Sequence, residues 1–142
     1  MELNIDKQKE LVKKSLEMRN FSYTPYSHWN VGAALLTEDG KVYTGCNIEN
    51  AGYTATNCAE RTAIFKAVSE GELKFKAIAI SGGPSGQDPI SYCPPCGICR
   101  QVMREFCKDD FIIYVAKSLD DYQTFTLGEL LPASFGPEDL GK

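Results

Sequence analysis

A chain of 142 residues that is 43% hydrophobic can bury one core but is too short for two ordinary domains, so a single domain over residues 1–142 is expected. Its 15 basic and 19 acidic residues leave a formal charge of −4, which offers no electrostatic attraction to nucleic acid or to an anionic membrane and favours a small neutral substrate. The start from Met1 to Glu10 is mostly polar and no apolar run approaches the roughly 20 residues that cross a bilayer, so a cytoplasmic protein is expected.

Taken in order, Leu11, Val12, Leu16 and Met18 fall among lysines and glutamates between Ile5 and Arg19, the pattern of an amphipathic helix with Asp6 as its cap. An aromatic loop broken by Pro25 follows, from Phe21 to Trp29. Val31 to Thr37 and Lys41 to Gly45 flank Asp39-Gly40 and predict a hairpin; Gly32, Ala33 and Ala34 leave room for close packing on its first strand. Cys46 to Tyr53 is a loop rich in hydrogen-bonding groups. From Cys58 the alanine-rich stripe Ala59, Ala63, Ile64, Ala67 and Val68 predicts a helix stopped by Gly71.

Lys76 to Ser81 predicts a buried strand, Gly82 to Asp88 a loop, Cys96 to Cys107 a helix with Val102, Met103 and Phe106 inward, and Phe111 to Ala116 another strand. Strand, helix and strand at this spacing form a parallel crossover. Gln123 to Phe125 adds an edge strand, and Thr126 caps a short helix reaching Leu131. The expected architecture is three-layer α/β/α around a mixed, roughly five-stranded sheet. Phe135, in the tail, has no evident local partner.

The chemistry concentrates in Cys58-Ala59-Glu60-Arg61 and Pro95-Cys96-Gly97-Ile98-Cys99. Six cysteines in a chain read as cytoplasmic are reduced thiols or metal ligands rather than a disulfide framework. Cys58, Cys96 and Cys99 stand at predicted helix starts, where unpaired backbone N–H groups favour thiolates, with Pro95 in the first turn of the second helix. Three thiolates with an open fourth position describe a catalytic zinc ion; four protein ligands describe a structural one. Zinc with three thiolates needs positive potential nearby, and Arg61, one turn from Cys58, can donate to the sulfurs, whereas Arg100 reads as a solvated helix residue. Glu60, two residues past a ligand, is placed to move protons for metal-assisted hydrolysis.

These blocks, together with Tyr26-Ser27, Val31 to Leu35, Gly45 to Ala51, Asn57 to Ala63, Cys96 to Val102 and Glu129 to Pro132, resemble the cytidine deaminases over almost the whole chain. The resemblance is to the short form that binds zinc through three cysteines and assembles as a homotetramer. It implies hydrolytic deamination of cytidine and deoxycytidine to the uracil nucleosides in pyrimidine salvage. Cys58, Cys96 and Cys99 would then hold Zn²⁺, and Glu60 would carry protons from water to N3 and to the departing amine. Asn47 and Glu49 would hold the ribose 3′-hydroxyl, Trp29 would contact the base, and the Ala59 backbone would read its edge. Tyr53 and Phe135 would enter active sites of neighbouring subunits.

The chain departs from what the resemblance implies at three places: Trp29 stands where phenylalanine is more usual, Ile98 where alanine is more common, and Cys93-Pro94 precedes the motif where a serine is more usual. Cys93 keeps open a closed four-cysteine zinc site, and Cys96-Gly97-Ile98-Cys99 keeps open a dithiol redox role. Other aminonucleosides stay open as substrates. Cys46 and Cys107 are expected to be small buried residues, and His28 a loop residue rather than a ligand.

Overall fold

A computed structural model of the chain describes residues 3–142. Met1 and Glu2, in the polar start, lie outside them. Helix α1 runs over Ile5–Met18 and turns Leu11, Val12 and Ser15 inward. Its cap is Asn4, whose side chain accepts from the Lys7 N–H, and not Asp6. A cap must precede the first helical residue, so Asp6, within the first turn, can only add its charge to the dipole.

The hairpin forms as expected from β1 (Trp29–Thr37) and β2 (Val42–Cys46), with Gly40 taking a φ of 94° in the turn. Strand β3 covers Phe75–Pro84, and so takes in Gly82 to Pro84, which the sequence reading places in a loop. The extension has a partner: Trp29 pairs with Pro84, Asn30 with Gly83 and Val31 with Gly82, so the backbone groups of both strands are used in one ladder. Beyond them lie β4 (Ile112–Ser118) and the edge strand β5 (Asp121–Thr126), longer than Gln123 to Phe125 because it pairs along β4 from Ile112 to Ser118.

The five strands lie in the order β2-β1-β3-β4-β5, with β3 and β4 parallel and the other neighbours antiparallel. Helices α2 (Ala59–Ser69) and α3 (Gly97–Phe106) cover one face with Ala33, Leu35, Ile78, Ile80, Ile113 and Val115. Helix α1 covers the other with Ala34, Leu36, Ala77, Ala79 and Tyr114. The expected three-layer architecture around a mixed sheet is the one observed. Apolar layers on both sides explain why β1, β3 and β4 carry nearly continuous apolar runs. Gly71, with φ 93°, follows α2 one place after its Glu70 cap, and a Thr126–Glu129 capping box starts α4 (Leu127–Leu130).

Two strand glycines set how closely the helices sit. A Cβ on Gly32 would lie 2.0 Å from the Ser15 carbonyl oxygen of α1, and one on Gly45 would lie 2.4 Å from that of Ala59 in α2. Gly45 therefore fixes the height of the first turn of α2 above the sheet. Among the described residues, no helix is long and apolar enough to cross a membrane.

Candidate active site

Cys58 is the N-cap of α2 and Cys96 the N-cap of α3, and neither helix has a side-chain cap hydrogen bond. Their first-turn N–H groups are therefore left beside the sulfurs, which favours negative charge there. Pro95 is the residue before the α3 cap rather than a member of the first turn, since Cys96 already occupies the cap. The Sγ atoms of Cys58 and Cys96 are 3.8 Å apart, and those of Cys58, Cys96 and Cys99 all lie within 4.8 Å of one another. Tetrahedral zinc with Zn–S bonds of about 2.3 Å places its sulfurs about 3.8 Å apart, so this donor set fits zinc.

The protonation of the cluster points the same way. Cys58 is held down to about 5, first by a hydrogen bond from the Cys99 thiol and then by Arg61. Cys99 is driven far above the ordinary thiol range by that same bond and by burial. Three sulfurs this close cannot all ionise unless a cation joins them. Arg61 Nη2 donates to Cys58 Sγ at 3.2 Å, the counter-charge expected from its position one turn on.

Cys93 stands apart from this group. Its sulfur lies over Gly82, 2.8 Å from where a Cβ would be, so the closed four-cysteine site is not formed. The nearness of Cys58 to Cys96 also separates Cys96-Gly97-Ile98-Cys99 from an ordinary dithiol pair: a third thiol shares its space. Cys46 and Cys107 are buried, as expected, and His28 is exposed on the loop before β1.

Glu60 is only 4% exposed, in the first turn of α2 two residues past Cys58. Burial pushes it up to about 7, with its own backbone N–H pulling the other way. A carboxyl group poised near neutrality can both take and return a proton. Ala59 is fully buried, its carbonyl turned toward Gly45.

Trp29, Asn47 and Glu49 are joined through the loops before β1 and after β2. Trp29 is half-buried at the start of β1. Asn47 bridges the backbone on either side of Asn30: Oδ1 accepts from the Val31 N–H at 2.9 Å and Nδ2 donates to the Trp29 carbonyl at 2.8 Å. Glu49 accepts from the N–H groups of Tyr26 and Ser27 at 3.0 and 3.1 Å, and the hydrogen bond from the Ser27 side chain is the first cause holding its carboxyl below the usual range. Tyr53 is 79% exposed and packs edge-on to Tyr26. Phe135 is 58% exposed, with its carbonyl held by Gln101 Nε2 at 2.9 Å.

Arg100 is not the solvated residue expected from the sequence. Its Nε donates to the Pro95 carbonyl at 2.8 Å and its Nη1 to the Leu130 carbonyl at 2.6 Å, which pins the cysteine turn to the end of α4. Carbonyl partners carry no side-chain signature, and nothing in the local residue pattern distinguishes this arginine from an exposed one.

Residues 5–115 match the family model of the cytidine and deoxycytidylate deaminase zinc-binding region. A cytidine deaminase of Sporosarcina psychrophila is 50% identical over 131 residues, covering 92% of this chain and 93% of the relative. One from Halalkalibacterium halodurans is 49% identical over 130 residues, covering 92% and 95%. Among solved structures, a cytidine deaminase from Burkholderia pseudomallei is 42% identical with a TM-score of 0.80, covering 89% of this chain and 97% of that one. With residues 5–115 matching the zinc-binding region and relatives about half identical over more than nine-tenths of both chains, the chain belongs to the cytidine and deoxycytidylate deaminase family.

Proposed function

We infer that this chain is a zinc-dependent cytidine deaminase, one catalytic domain that hydrolyses cytidine and deoxycytidine to uridine and deoxyuridine with release of ammonia, a reaction of pyrimidine salvage in the cytoplasm. The observation that carries this reading is a sealed carboxyl group, Glu60, beside a three-sulfur cluster that needs a cation. Cys58, Cys96 and Cys99 would hold the zinc ion. When bound, zinc supplies the Lewis acidity that makes water a nucleophile at neutral pH.

Glu60 takes one proton from the attacking water and delivers it to N3 of the pyrimidine as oxygen bonds to C4. It then takes the second proton from that oxygen and passes it to the exocyclic amine. The C4–N bond breaks, the C4 carbonyl forms, and ammonia leaves. Burial of Glu60 serves both transfers, because a carboxylate in water is too weak a base and an acid group there too fully ionised. Arg61 offsets the charge gathered on the sulfurs.

Trp29 borders the base, and the N–H of Ala59, unpaired in the first turn of α2, reads the base edge. Asn47 uses two of its hydrogen-bonding positions on backbone and keeps one amide N–H, while Glu49 keeps lone pairs, for the ribose 3′-hydroxyl. Tyr53 and Phe135, exposed on the single chain, complete the sites of neighbouring subunits in a homotetramer.

Ammonia release from cytidine, deoxycytidine, cytosine and adenosine, each with and without a chelator, tests this reading. Turnover of the first two alone, abolished by the chelator and restored by zinc, is the expected result. Release from adenosine or from free cytosine alone, or turnover indifferent to the chelator, would overturn it. Sedimentation as a monomer at assay concentration would remove the shared-site arrangement.

A further inference from the structure

The segment that follows α4 runs beside α3, which holds it at successive points. Arg100 reaches the Leu130 carbonyl and Gln101 Nε2 the Phe135 carbonyl, while Arg104, in the last turn of α3, donates from Nε to Ser134 Oγ at 2.8 Å and from Nη2 to Glu138 Oε2 at 2.9 Å. The Arg104 side chain is 14% exposed but that of Glu138 is 61% exposed, and an ion pair so open to water contributes little by its charge. The close contact is with backbone. A Cβ on the buried Gly136 would lie 2.4 Å from the guanidinium carbon of Arg104. Gly136 has a φ of −153°, which any residue can adopt, so the guanidinium lying on it is what leaves no room for a side chain. Ahead of it Ala133 keeps a φ of 50°, a conformation alanine holds only where its surroundings impose it. Phe135 is therefore gripped before, at and after its own backbone, while its ring stays exposed. A ring carried on so fixed a backbone has less freedom to lose on meeting a partner.

We propose that Arg104 is a positioning residue that acts in the neighbouring active site: by clamping Ser134 and Gly136 on either side of Phe135, it presents the Phe135 ring of one subunit to the substrate site of the next. The inference rests on the reading of Phe135 as a residue that completes a neighbour's site. Helix α3 would then serve two sites, with Cys96 and Cys99 at its start for its own and the clamp in its last turn for the other. Loss of the clamp frees the ring without touching the sulfurs or Glu60.

Arg104→Ala is expected to raise KM for cytidine about fivefold, the result of a tail that keeps its place about one-fifth of the time, with kcat within about twofold and zinc content unchanged. Arg104→Lys keeps the charge but neither the fork nor the flat contact with Gly136, and should raise KM nearly as much. In a Phe135→Ala background, where no ring is left to place, Arg104→Ala should add less than about twofold. Because the ring serves another subunit, the defect is repaired in trans. In hybrids assembled with a large excess of Glu60→Gln chains, which keep an intact tail and lack turnover of their own, the Arg104→Ala sites should return to the parent KM.

A KM that stays raised in those hybrids, equal cost in the Phe135→Ala background, full rescue by Arg104→Lys, or zinc loss in Arg104→Ala would overturn the proposal. So would a parent KM in Arg104→Ala beside an impaired Phe135→Ala. Should Arg104→Ala not fold, Gly136→Ala, whose Cβ displaces the guanidinium, must give the same rise in KM and the same repair in hybrids. Phe135→Ala at the parent KM would overturn the reading of Phe135 on which the proposal stands, and a parent protein that releases no ammonia from cytidine would overturn the functional reading.

Discussion

At the start of α2, Cys58 is half-buried and is followed by Ala59 and Glu60, both sealed from solvent; at the start of α3, Cys96, Gly97 and Ile98 face outward and only Cys99 is sealed. Both segments put a cysteine at the cap and leave the first-turn N–H groups uncapped by side chains. They differ in what surrounds the sulfur. Gly45 lets α2 sink onto β2, and that closeness buries Glu60, lifting its carboxyl to about 7. Nothing in α3 corresponds to Glu60; its segment contributes two sulfurs on one helical turn and an arginine that points to carbonyls. In the proposed reaction the α2 start would supply one sulfur and the proton carrier and the α3 start only sulfurs, although their polar N-termini are alike. The arginines divide the same way: Arg61 faces a sulfur, Arg100 faces backbone.

The largest test of this division is Glu60→Gln, which keeps the size of the side chain and removes its ability to carry protons. Turnover should fall by about 10³-fold to 10⁴-fold while zinc content, measured by metal analysis, stays at the parent level. Turnover near the parent value would take Glu60 out of the reaction, and concurrent metal loss would make Glu60, beside Cys58, part of what holds the ion. A smaller effect is expected from Arg61→Ala. It strips the donor 3.2 Å from Cys58 Sγ and leaves the thiolates without their nearby positive charge. Zinc affinity, measured by competition with a chromophoric chelator, should drop about 10-fold to 100-fold, with Arg61→Lys intermediate because an ammonium keeps charge but not the planar fork. Unchanged affinity in Arg61→Ala would mean that the helix N-termini alone balance the sulfurs.

Cys58, Glu60, Cys96 and Cys99 are legible in the sequence because their grouping follows from short spacings at helix starts, which the chain writes locally. Arg61 is legible for the same reason, its offset from Cys58 being one helical turn. The elements themselves follow from apolar periodicity, but their ends do not: β3 runs on to Pro84 because Trp29, Asn30 and Val31 are there to pair with it. A ladder partner distant in sequence leaves no mark on Gly82-Gly83-Pro84, which looks like a turn. The cap of α1 fell two residues earlier than Asp6 because Asn4 also carries a side-chain acceptor, and local composition does not rank the two.

Arg100→Ala gives the smallest expected catalytic effect and the most direct comparison with Arg61. Two charge-assisted hydrogen bonds to carbonyls, at 2.8 and 2.6 Å, join the turn before α3 to the end of α4. Such bonds contribute roughly 1.5–3 kcal/mol each when well formed, but Leu130 is only partly buried and water can replace the guanidinium there, so a net loss of about 2 kcal/mol is expected. For a chain of this length that lowers the melting temperature by about 6 °C, readable by circular dichroism of the zinc-loaded protein. Because Arg100 touches no sulfur in the way Arg61 does, kcat and zinc affinity should stay within about threefold of the parent. A zinc affinity falling as far as in Arg61→Ala, without loss of thermal stability, would show that the second arginine also acts on the thiolates and that the two helix starts are more alike in function than their surroundings indicate.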